Sequence, residues 1–177
     1  MTYLTRIQGI RGDDYRVHQL LKSIFDGDKI LFQRGRFETT VLSTKAPGLG
    51  AQEFGAKEIS AFLDGIETGS EFSFTARVNP VVTKIDKKGK RYPVAPDKLQ
   101  EWIDRKLDDA AMAAEFTYCT EGPRISNKNG HKITLSSVFV TGMCQVKDAN
   151  WFKTALIRGI GHSKGLGFGM INIFADL

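Results

Sequence analysis

Hydrophobic and polar residues alternate along several short stretches of the chain, and this period of two predicts β-strands. The first stretch covers residues 2–8 and ends at a glycine. A long strand is expected over 70–83, where Phe72, Phe74, Ala76 and Val78 would share one face. Further strands are expected over 29–34, 39–44, 116–120, 132–146 and 170–174. Asn129-Gly130, between the strands at 116–120 and 132–146, is typical of a hairpin turn.

Apolar residues spaced three and four apart predict helices between these strands. One stripe consists of Val17, Leu20, Leu21 and Ile24. Asp13 or Asp14 is placed to cap the start of this helix, which should run to about residue 25. Further helices are expected over 56–66, 97–112 and 150–158, the last with Trp151, Ala155 and Leu156 directed inward.

The predicted elements follow the order strand, helix, strand, strand, helix, strand, and a similar order then repeats. This is the order of a ferredoxin-like unit. Two such units of roughly 90 residues each would both be large enough to bury a core. We therefore expect an α+β fold of two tandem ferredoxin-like domains, covering residues 1–85 and 86–177.

Composition narrows the class of protein. The 177 residues are 41% hydrophobic and 25% charged, which is typical of a globular chain rather than a disordered or fibrous one. No run of apolar residues is long enough to span a membrane, and the first residues lack the pattern of a secretory signal. Cys119 and Cys144 are too far apart in sequence to form a close-spaced ligand pair, so neither a zinc site nor a disulfide framework is expected. A reducing cytoplasm fits this cysteine usage.

The net charge of +5 is concentrated in one place. The segment 77–91 carries six basic residues against one acidic residue, so by itself it equals the net charge of the whole chain. A local excess of this kind suits a polyanionic partner. On charge alone, a solvated, lysine-rich linker is the simpler interpretation.

Glycines crowd the segment 159–169, which we call the glycine-rich loop. Five of its eleven residues are glycine, and Lys164 adds a positive charge. Free backbone N–H groups in such a loop can hold phosphate oxygens. Because the loop follows a predicted helix instead of opening one, it matches neither dinucleotide-binding nor P-loop patterns, and no cofactor is expected. A flexible turn after a helix is the alternative.

Three chemically useful side chains share one face of the first predicted helix. Tyr15, His18 and Lys22 are spaced three and four residues apart. A histidine can give or take a proton near neutral pH, a tyrosine can orient a hydroxyl, and a lysine can stabilise a negatively charged phosphorane. Cleavage of RNA by its own 2′-hydroxyl needs these three capabilities. From the helix alone, a surface histidine is the simpler interpretation.

Four segments resemble the CasE family, the CRISPR RNA-processing endoribonucleases of type I-E systems within the RAMP superfamily. They occur in the family's order and span nearly the whole chain. They are a YxxH helix at 15–25 (YRVHQLLKSIF), an R-x-N-P strand end at 72–84 (FSFTARVNPVVTK), a helix at 99–107 (LQEWIDRKL) and the glycine-rich loop continuing to 171 (GIGHSKGLGFGMI).

The resemblance implies two tandem RRM-like domains and cleavage of repeat RNA at the base of a stem-loop without metal. The products would carry a 2′,3′-cyclic phosphate (or 3′-phosphate) and a 5′-hydroxyl, and the mature guide would stay bound within a Cascade-type complex of effector subunits. His18 and Tyr15 are the implied catalytic residues, and we add Lys22 from its position. The first domain would carry the catalytic helix, and the second the basic hairpin and the glycine-rich loop.

Candidate RNA contacts come from three places in the chain. The basic segment 77–91 is placed to follow a phosphate backbone, and the glycine-rich loop can hold phosphate oxygens. The hairpin around Asn129-Gly130 resembles the family's basic hairpin that approaches the stem. Stem shape and backbone should dominate recognition there, because A-form RNA hides its base edges in a deep groove. The candidates are Lys84, Lys87, Lys88, Lys90, Arg91, Arg124, Lys128, Lys132, Gly159, Gly161, His162, Lys164, Gly165, Gly167 and Gly169.

Two other functions stay open at this point. A structural RNA-binding subunit of the same superfamily would share the glycine-rich loop and basic hairpin and would tolerate loss of Tyr15 and His18. A metabolic ferredoxin-like protein would need an apolar ligand pocket and would bind with weak salt dependence. Clustered positive charge opposes the metabolic alternative, since phosphate-driven binding falls steeply with salt.

Overall fold

A computed structural model describes residues 1–48, 54–84, 90–128, 130–174 and 177. Two four-stranded antiparallel sheets and one two-stranded ribbon make up the β-structure of these residues. The helices pack against the sheets. Within the described ranges, no helix has the length and apolar character needed to cross a membrane.

The first sheet is built from the N-terminal part of the chain. Its elements are β1 (Tyr3–Gln8), α1 (Asp14–Ile24), β2 (Ile30–Arg34), β3 (Glu38–Ser43), β4 (Lys57–Glu58) and a short α2 (Ser60–Asp64) that follows the last strand. The strands lie in the order β2-β3-β1-β4. Antiparallel neighbours and a central first strand give this sheet the ferredoxin-like arrangement.

The second sheet repeats that arrangement. The remaining elements are β5 (Glu71–Val78), β6 (Val81–Lys84), β7 (Lys90–Pro93), α3 (Leu99–Asp108), β8 (Met112–Lys128), β9 (His131–Val146), α4 (Ala149–Arg158) and β10 (Ile171–Asn172). Strands β10-β5-β9-β8 form the sheet, and β6 and β7 form a ribbon inserted after its first strand. Both sheets therefore place their own fourth, first, third and second strands side by side, and the expected tandem ferredoxin-like α+β fold is confirmed.

The sheets change over earlier in the chain than the expected boundary at 85/86. Strand β5 pairs along its whole length with β9, from Glu71 opposite Gln145 to Val78 opposite Val138. This strand therefore belongs to the second sheet. We propose that the two units divide between α2 and β5, so that the second unit begins at about residue 71 instead of 86.

Both faces of the first sheet are covered, which explains the unbroken apolar run at its second strand. Ile30 and Phe32 belong to a cluster with Val17 and Leu21 of α1, whereas Leu31 between them belongs to the larger cluster of the second unit. Successive side chains of a strand point to opposite faces. One face of the sheet is thus buried by α1 and the other by the second unit, which fixes α1 relative to the C-terminal half of the chain.

Several sequence predictions were too generous with helix and strand length. The helix expected over 56–66 is only Ser60–Asp64, because Lys57–Glu58 pairs with β1 as an edge strand. The strand expected over 70–83 breaks after Val78, where Asn79-Pro80 starts the inserted ribbon. The C-terminal strand shrinks to Ile171–Asn172.

The hairpin strands, in contrast, are longer than expected. Strands β8 and β9 pair from Met112 to His131, with one irregularity between Thr120 and Gly122. The segment that was expected to be a connection between them is therefore mostly strand. The arms of this hairpin extend well beyond the other strands of the sheet.

Three apolar residues point outward where inward packing was expected. Trp151 is 65% exposed, because Phe152 and Leu156, four residues apart, form the buried stripe of α4. Leu20 of α1 is also exposed, and so is Met143 of β9, an apolar residue of a kind that usually packs in a core. Each lies next in sequence to residues that face the core, a distinction that spacing alone resolves poorly.

Candidate functional site

An aspartate caps the start of helix α1. Asp13 caps it by accepting a hydrogen bond from the backbone N–H of Arg16 at 2.9 Å. Val17 and Leu21 are fully buried, which turns the neighbouring face toward a cleft. Tyr15 and His18 of α1 are half-buried and Lys22 is exposed. His18 and Lys22 line the cleft, whereas Tyr15, on the same helix, is not among the residues that line it.

The glycine-rich loop packs directly against this helix. A Cβ atom built on Gly165 would lie 3.4 Å from Cε1 and 3.5 Å from Nε2 of His18, so the loop backbone runs beside the imidazole. The imidazole also stacks with the ring of Phe32, with ring centroids 6.2 Å apart and planes 19° from parallel. His18 therefore neighbours both the sheet, through Phe32, and the loop, through Gly165.

The loop needs its glycines for both conformation and close approach. Gly159, Gly161, Gly167 and Gly169 all have positive φ angles, between 66° and 80°. A Cβ on Gly167 would lie 2.9 Å from Cε2 of Phe32, and one on Gly169 would collide with the carbonyl oxygen of Ile160. Ile160 donates its N–H to the carbonyl of Gly169 at 2.8 Å, which closes the base of the loop.

The end of strand β5 fastens the loop at two points. Gly169 donates its backbone N–H to the carbonyl of Arg77 at 2.7 Å. The side-chain amide of Asn79 donates to the hydroxyl of Ser163 at 2.9 Å. Arg77, Asn79 and Ser163 were not among the candidate site residues. The R-x-N-P pattern of the sequence was the available signal for Arg77 and Asn79, but it did not show what they contact.

A cleft of about 660 Å³ opens between α1, the turn that follows it, the end of α4 and the glycine-rich loop. Four basic residues line it, of which Lys29 and Arg158 were not predicted and Lys22 and Lys164 were. Their positions come from elements distant in sequence. The full lining is His18, Lys22, Gly27, Asp28, Lys29, Ile30, Leu31, Thr44, Ile157, Arg158, Lys164 and Gly165.

Asp28, a carboxylate in the lining of the cleft, has a structural task. Partial burial acts to raise its pKa, but hydrogen bonds from Thr44, Lys29 and Lys45 outweigh burial and lower it. It accepts the backbone N–H groups of Thr44 at 2.8 Å and Lys45 at 3.0 Å. Asp28 thus ties the turn after α1 to the end of β3 and shapes one wall of the cleft.

Positive charge gathers around the glycine-rich loop. Burial, followed by the nearby charges of Arg158 and Lys106, lowers the pKa of Lys164, whose Nζ donates to the carbonyl of Gly159 at 2.7 Å. Burial, followed by Arg91, Lys106 and Lys164, lowers the pKa of His162. Cations that depress one another's pKa values in this way are favourably placed to bind an anion.

Arg124, a candidate RNA contact, makes an internal ion pair. Its NH2 atom lies 2.6 Å from Oδ1 of the buried Asp14, and its guanidinium lies over the ring of Phe168 at 5.8 Å. Nearby, the backbone N–H of Asn127 donates to Asp13 at 3.2 Å. The long hairpin is therefore attached to the start of α1 and, through Phe168, to the glycine-rich loop.

Three other basic candidates, Lys90, Arg91 and Lys132, are not among the residues that line the cleft. Lys90 and Arg91 are exposed on the β6–β7 ribbon, and Lys132 is exposed near the tip of the long hairpin. Lys84 and Lys128 are the last residues of β6 and β8. Lys87 and Lys88 lie outside the described residues. Arg91 lies close enough to the glycine-rich loop to help lower the pKa of His162.

Sequence comparison assigns this chain to a protein family. A sequence model of a family described as "CRISPR associated protein" matches residues 5–174. The chain belongs to this CRISPR-associated family. A relative from Escherichia coli K12, the CRISPR system Cascade subunit CasE, is 26% identical over 119 residues, which cover 61% of this chain and 60% of the relative. The match thus spans less than two thirds of the curated relative's length.

Solved structures of this family have the same fold. Thermus thermophilus Cse3 bound to an RNA representing a pre-cleavage complex superposes with a TM-score of 0.78 and 18% identity, covering 97% of this chain and 98% of that one. The Escherichia coli K-12 protein Cas6e gives 0.73 and 22%, covering 96% and 97%. The resemblance to the CasE family seen in the four sequence segments is thereby confirmed. At these identities the structures establish the fold, and the roles of individual residues rest on the geometry above.

Proposed function

We propose that this family member is a metal-independent endoribonuclease that cuts CRISPR precursor RNA at the base of the repeat stem-loop. One observation carries the proposal: the imidazole of His18 lies beside the backbone of Gly165 in a cleft lined by four basic residues. A nucleic acid backbone needs such a positive groove. A proton-transfer group beside it supplies what cleavage by a neighbouring hydroxyl requires.

The reaction that fits is an internal transesterification. The 2′-oxygen of one ribose attacks the adjacent phosphorus, the bond from phosphorus to the 5′-oxygen breaks, and the 5′-oxygen leaves with a proton. The products are a 2′,3′-cyclic phosphate and a 5′-hydroxyl. His18 moves a proton, either from the 2′-hydroxyl or to the 5′-oxygen, and Tyr15 orients the attacking hydroxyl. Lys22 stabilises the charge that builds up on the phosphorane.

The rest of the RNA extends beyond the cleft in this proposal. The long hairpin and the β6–β7 ribbon contact the stem backbone through Lys90, Arg91 and Lys132, while Lys164 and the loop amides hold the strand at the cut. Relatives support this assignment: Cse3 has been solved with a 19-nucleotide RNA, and another relative in a CRISPR RNA-guided surveillance complex. We infer that this chain likewise retains its mature guide RNA in a cytoplasmic Cascade-type complex.

Incubating the pure protein with a repeat hairpin in EDTA, and mapping the product ends, tests the proposal. We expect one cut at the base of the stem and a cyclic phosphate end. His18→Ala should abolish cutting and keep RNA binding. Gln19→Ala, which changes an exposed neighbour on the same helix, is the control and should cut normally.

Two results would contradict the assigned mechanism. The first is cutting by the His18→Ala variant at the normal rate. The second is tight binding of the repeat hairpin by the unaltered protein with no cutting, which would favour the alternative of a structural RNA-binding subunit.

A further inference from the structure

Ser163 has an unusual backbone conformation for its residue type. Its φ angle is 63° and its ψ angle 30°, in the left-handed region, where a side chain meets the following carbonyl. The short 3-10 turn Lys164–Leu166 begins at the next residue, and this turn carries Gly165 to the imidazole of His18. The direction in which the turn leaves Ser163 therefore decides what lies against His18.

The contact that holds Ser163 also has an energetic cost. Asn79 is only 4% exposed, and its Nδ2 atom donates to the hydroxyl of Ser163 at 2.9 Å. The Oδ1 atom of the same amide is buried without a hydrogen-bond partner among the described residues. A strained backbone and an unpaired buried carbonyl thus meet at one contact. Such features persist where surrounding structure imposes them, and they concentrate at functional sites.

The anchor beneath this contact is rigid. Two residues before Asn79, the guanidinium of Arg77 binds both carboxylate oxygens of Glu121, at 2.6 and 2.8 Å. It also donates to the carbonyl of Arg34 at 2.6 Å. Because the carbonyl of Arg77 accepts from Gly169, the end of β5 grips the loop at both Ser163 and Gly169.

We propose that Asn79 is a positioning residue for the cleavage reaction. By holding Ser163 in the left-handed region, it aims the Lys164–Leu166 turn so that the backbone of Gly165 stays against His18. The inference rests on the proposed function for its catalytic consequence, and its structural part concerns the free protein. Asn79 acts through Ser163 and needs no contact with RNA.

Glycine at position 163 separates this role from the alternatives, because glycine adopts the left-handed region without strain. Asn79→Ala should lower the single-turnover cleavage rate by about 5- to 30-fold, the equilibrium equivalent of a residue's preference against that region. RNA affinity should change less than about threefold, the equivalent of about 0.65 kcal/mol. Ser163→Gly alone, which reaches the left-handed region without the amide contact, gives the reference rate for the double variant.

The double variant gives the decisive result. Adding Ser163→Gly to Asn79→Ala should restore most of the lost rate, since the loop then reaches its conformation without the amide. Asn79→Leu, which fills the same space without a donor, should behave like Asn79→Ala and provides a second route if the alanine variant folds poorly. A double variant as slow as Asn79→Ala, or an Asn79→Leu variant that cuts normally, would overturn the proposal.

A measurement on the RNA-free protein keeps this test independent of the proposed function. Amide hydrogen exchange should be measured at Leu166, whose N–H donates to the carbonyl of Ser163, and at Gly169, whose N–H donates to the carbonyl of Arg77. Exchange at both should speed up in Asn79→Ala and slow again in the double variant. Unchanged exchange in Asn79→Ala would refute the structural role. Failure of the unaltered protein to cut RNA, with the expected exchange pattern, would overturn the proposed function and leave the role of Asn79 in shaping the loop intact.

Discussion

Replacing Asp14 with asparagine should loosen the attachment of helix α1 to the rest of the molecule. Its side chain is only 3% exposed, and one carboxylate oxygen lies 2.6 Å from Arg124 and 3.1 Å from Arg34. The carboxylate therefore joins three elements: the start of α1, the end of β2 and the long hairpin. Asparagine keeps the shape and removes the charge that both guanidinium groups face.

The size of the effect follows from burial. Removing one partner of a buried ion pair costs about 3–5 kcal/mol. Because the side chains of Arg34 and Arg124 are 22% and 25% exposed, water can partly solvate them, so we expect the lower end, about 3 kcal/mol. With a urea dependence of about 2 kcal/mol per M, the unfolding midpoint should fall by about 1.5 M.

Urea unfolding followed by circular dichroism measures this change, and Asp108→Asn is the matched control. Asp108 lies at the same 2.6 Å from Lys147, but the side chains of that pair are 68% and 48% exposed. An exposed pair contributes about 0–1 kcal/mol. Equal destabilisation by the two substitutions, or a loss under about 1 kcal/mol for Asp14→Asn, would refute the reasoning from burial.

Three further predictions follow from the site. Gly165→Ala should fold normally, since its φ is not left-handed, but its new methyl group would lie 3.4 Å from His18 and should slow cleavage at least about tenfold, roughly 1.4 kcal/mol, in a single-turnover assay. Hydrogen bonds from Arg77 lower the pKa of Glu121 below its ordinary 4.5, so the ionised carboxylate stabilises the fold above pH 4.5 and this contribution is lost as the pH falls through the lowered pKa. Acid unfolding curves of Glu121→Gln should therefore be flatter between pH 4.5 and the lowered pKa. Burial and neighbouring cations lower the pKa of His162 below 6.5 in the free protein, whereas phosphates of a bound RNA should raise it. RNA affinity should therefore increase more steeply as the pH falls from 7 to about 5.5 than it does in His162→Gln, and parallel pH profiles would contradict this.

Local sequence patterns were sufficient to predict elements whose structure depends on one buried face. The apolar stripe of α1 with its aspartate cap predicted the helix within a residue or two, because Val17 and Leu21 are buried whatever the partner is. The repeated element order was enough to predict two ferredoxin-like sheets. The grouping of Tyr15, His18 and Lys22 followed from helical geometry alone.

Long-range contacts explain what the sequence could not show. Arg124 has the charge of an RNA contact, yet it faces Asp14, 110 positions earlier in the chain. Lys29 and Arg158 meet in one cleft only because α1 and the end of α4 lie on the same side of the molecule. The role of Asn79 is equally invisible in its local pattern, since its partner Ser163 is 84 positions away.

The most direct test is an experimental structure of the protein with a repeat hairpin that carries a 2′-deoxyribose at the cut position, which blocks the attack. We predict that the uncut phosphate lies in the cleft. A ring nitrogen of His18 should lie within about 3.2 Å of the 5′-oxygen, directly or through one water, or should face the ribose carbon that carries the 2′-hydroxyl in the natural RNA. The same phosphate should lie beside Lys164 and the backbone of Gly165. An RNA bound on another face, with the cleft empty beside His18, would contradict it.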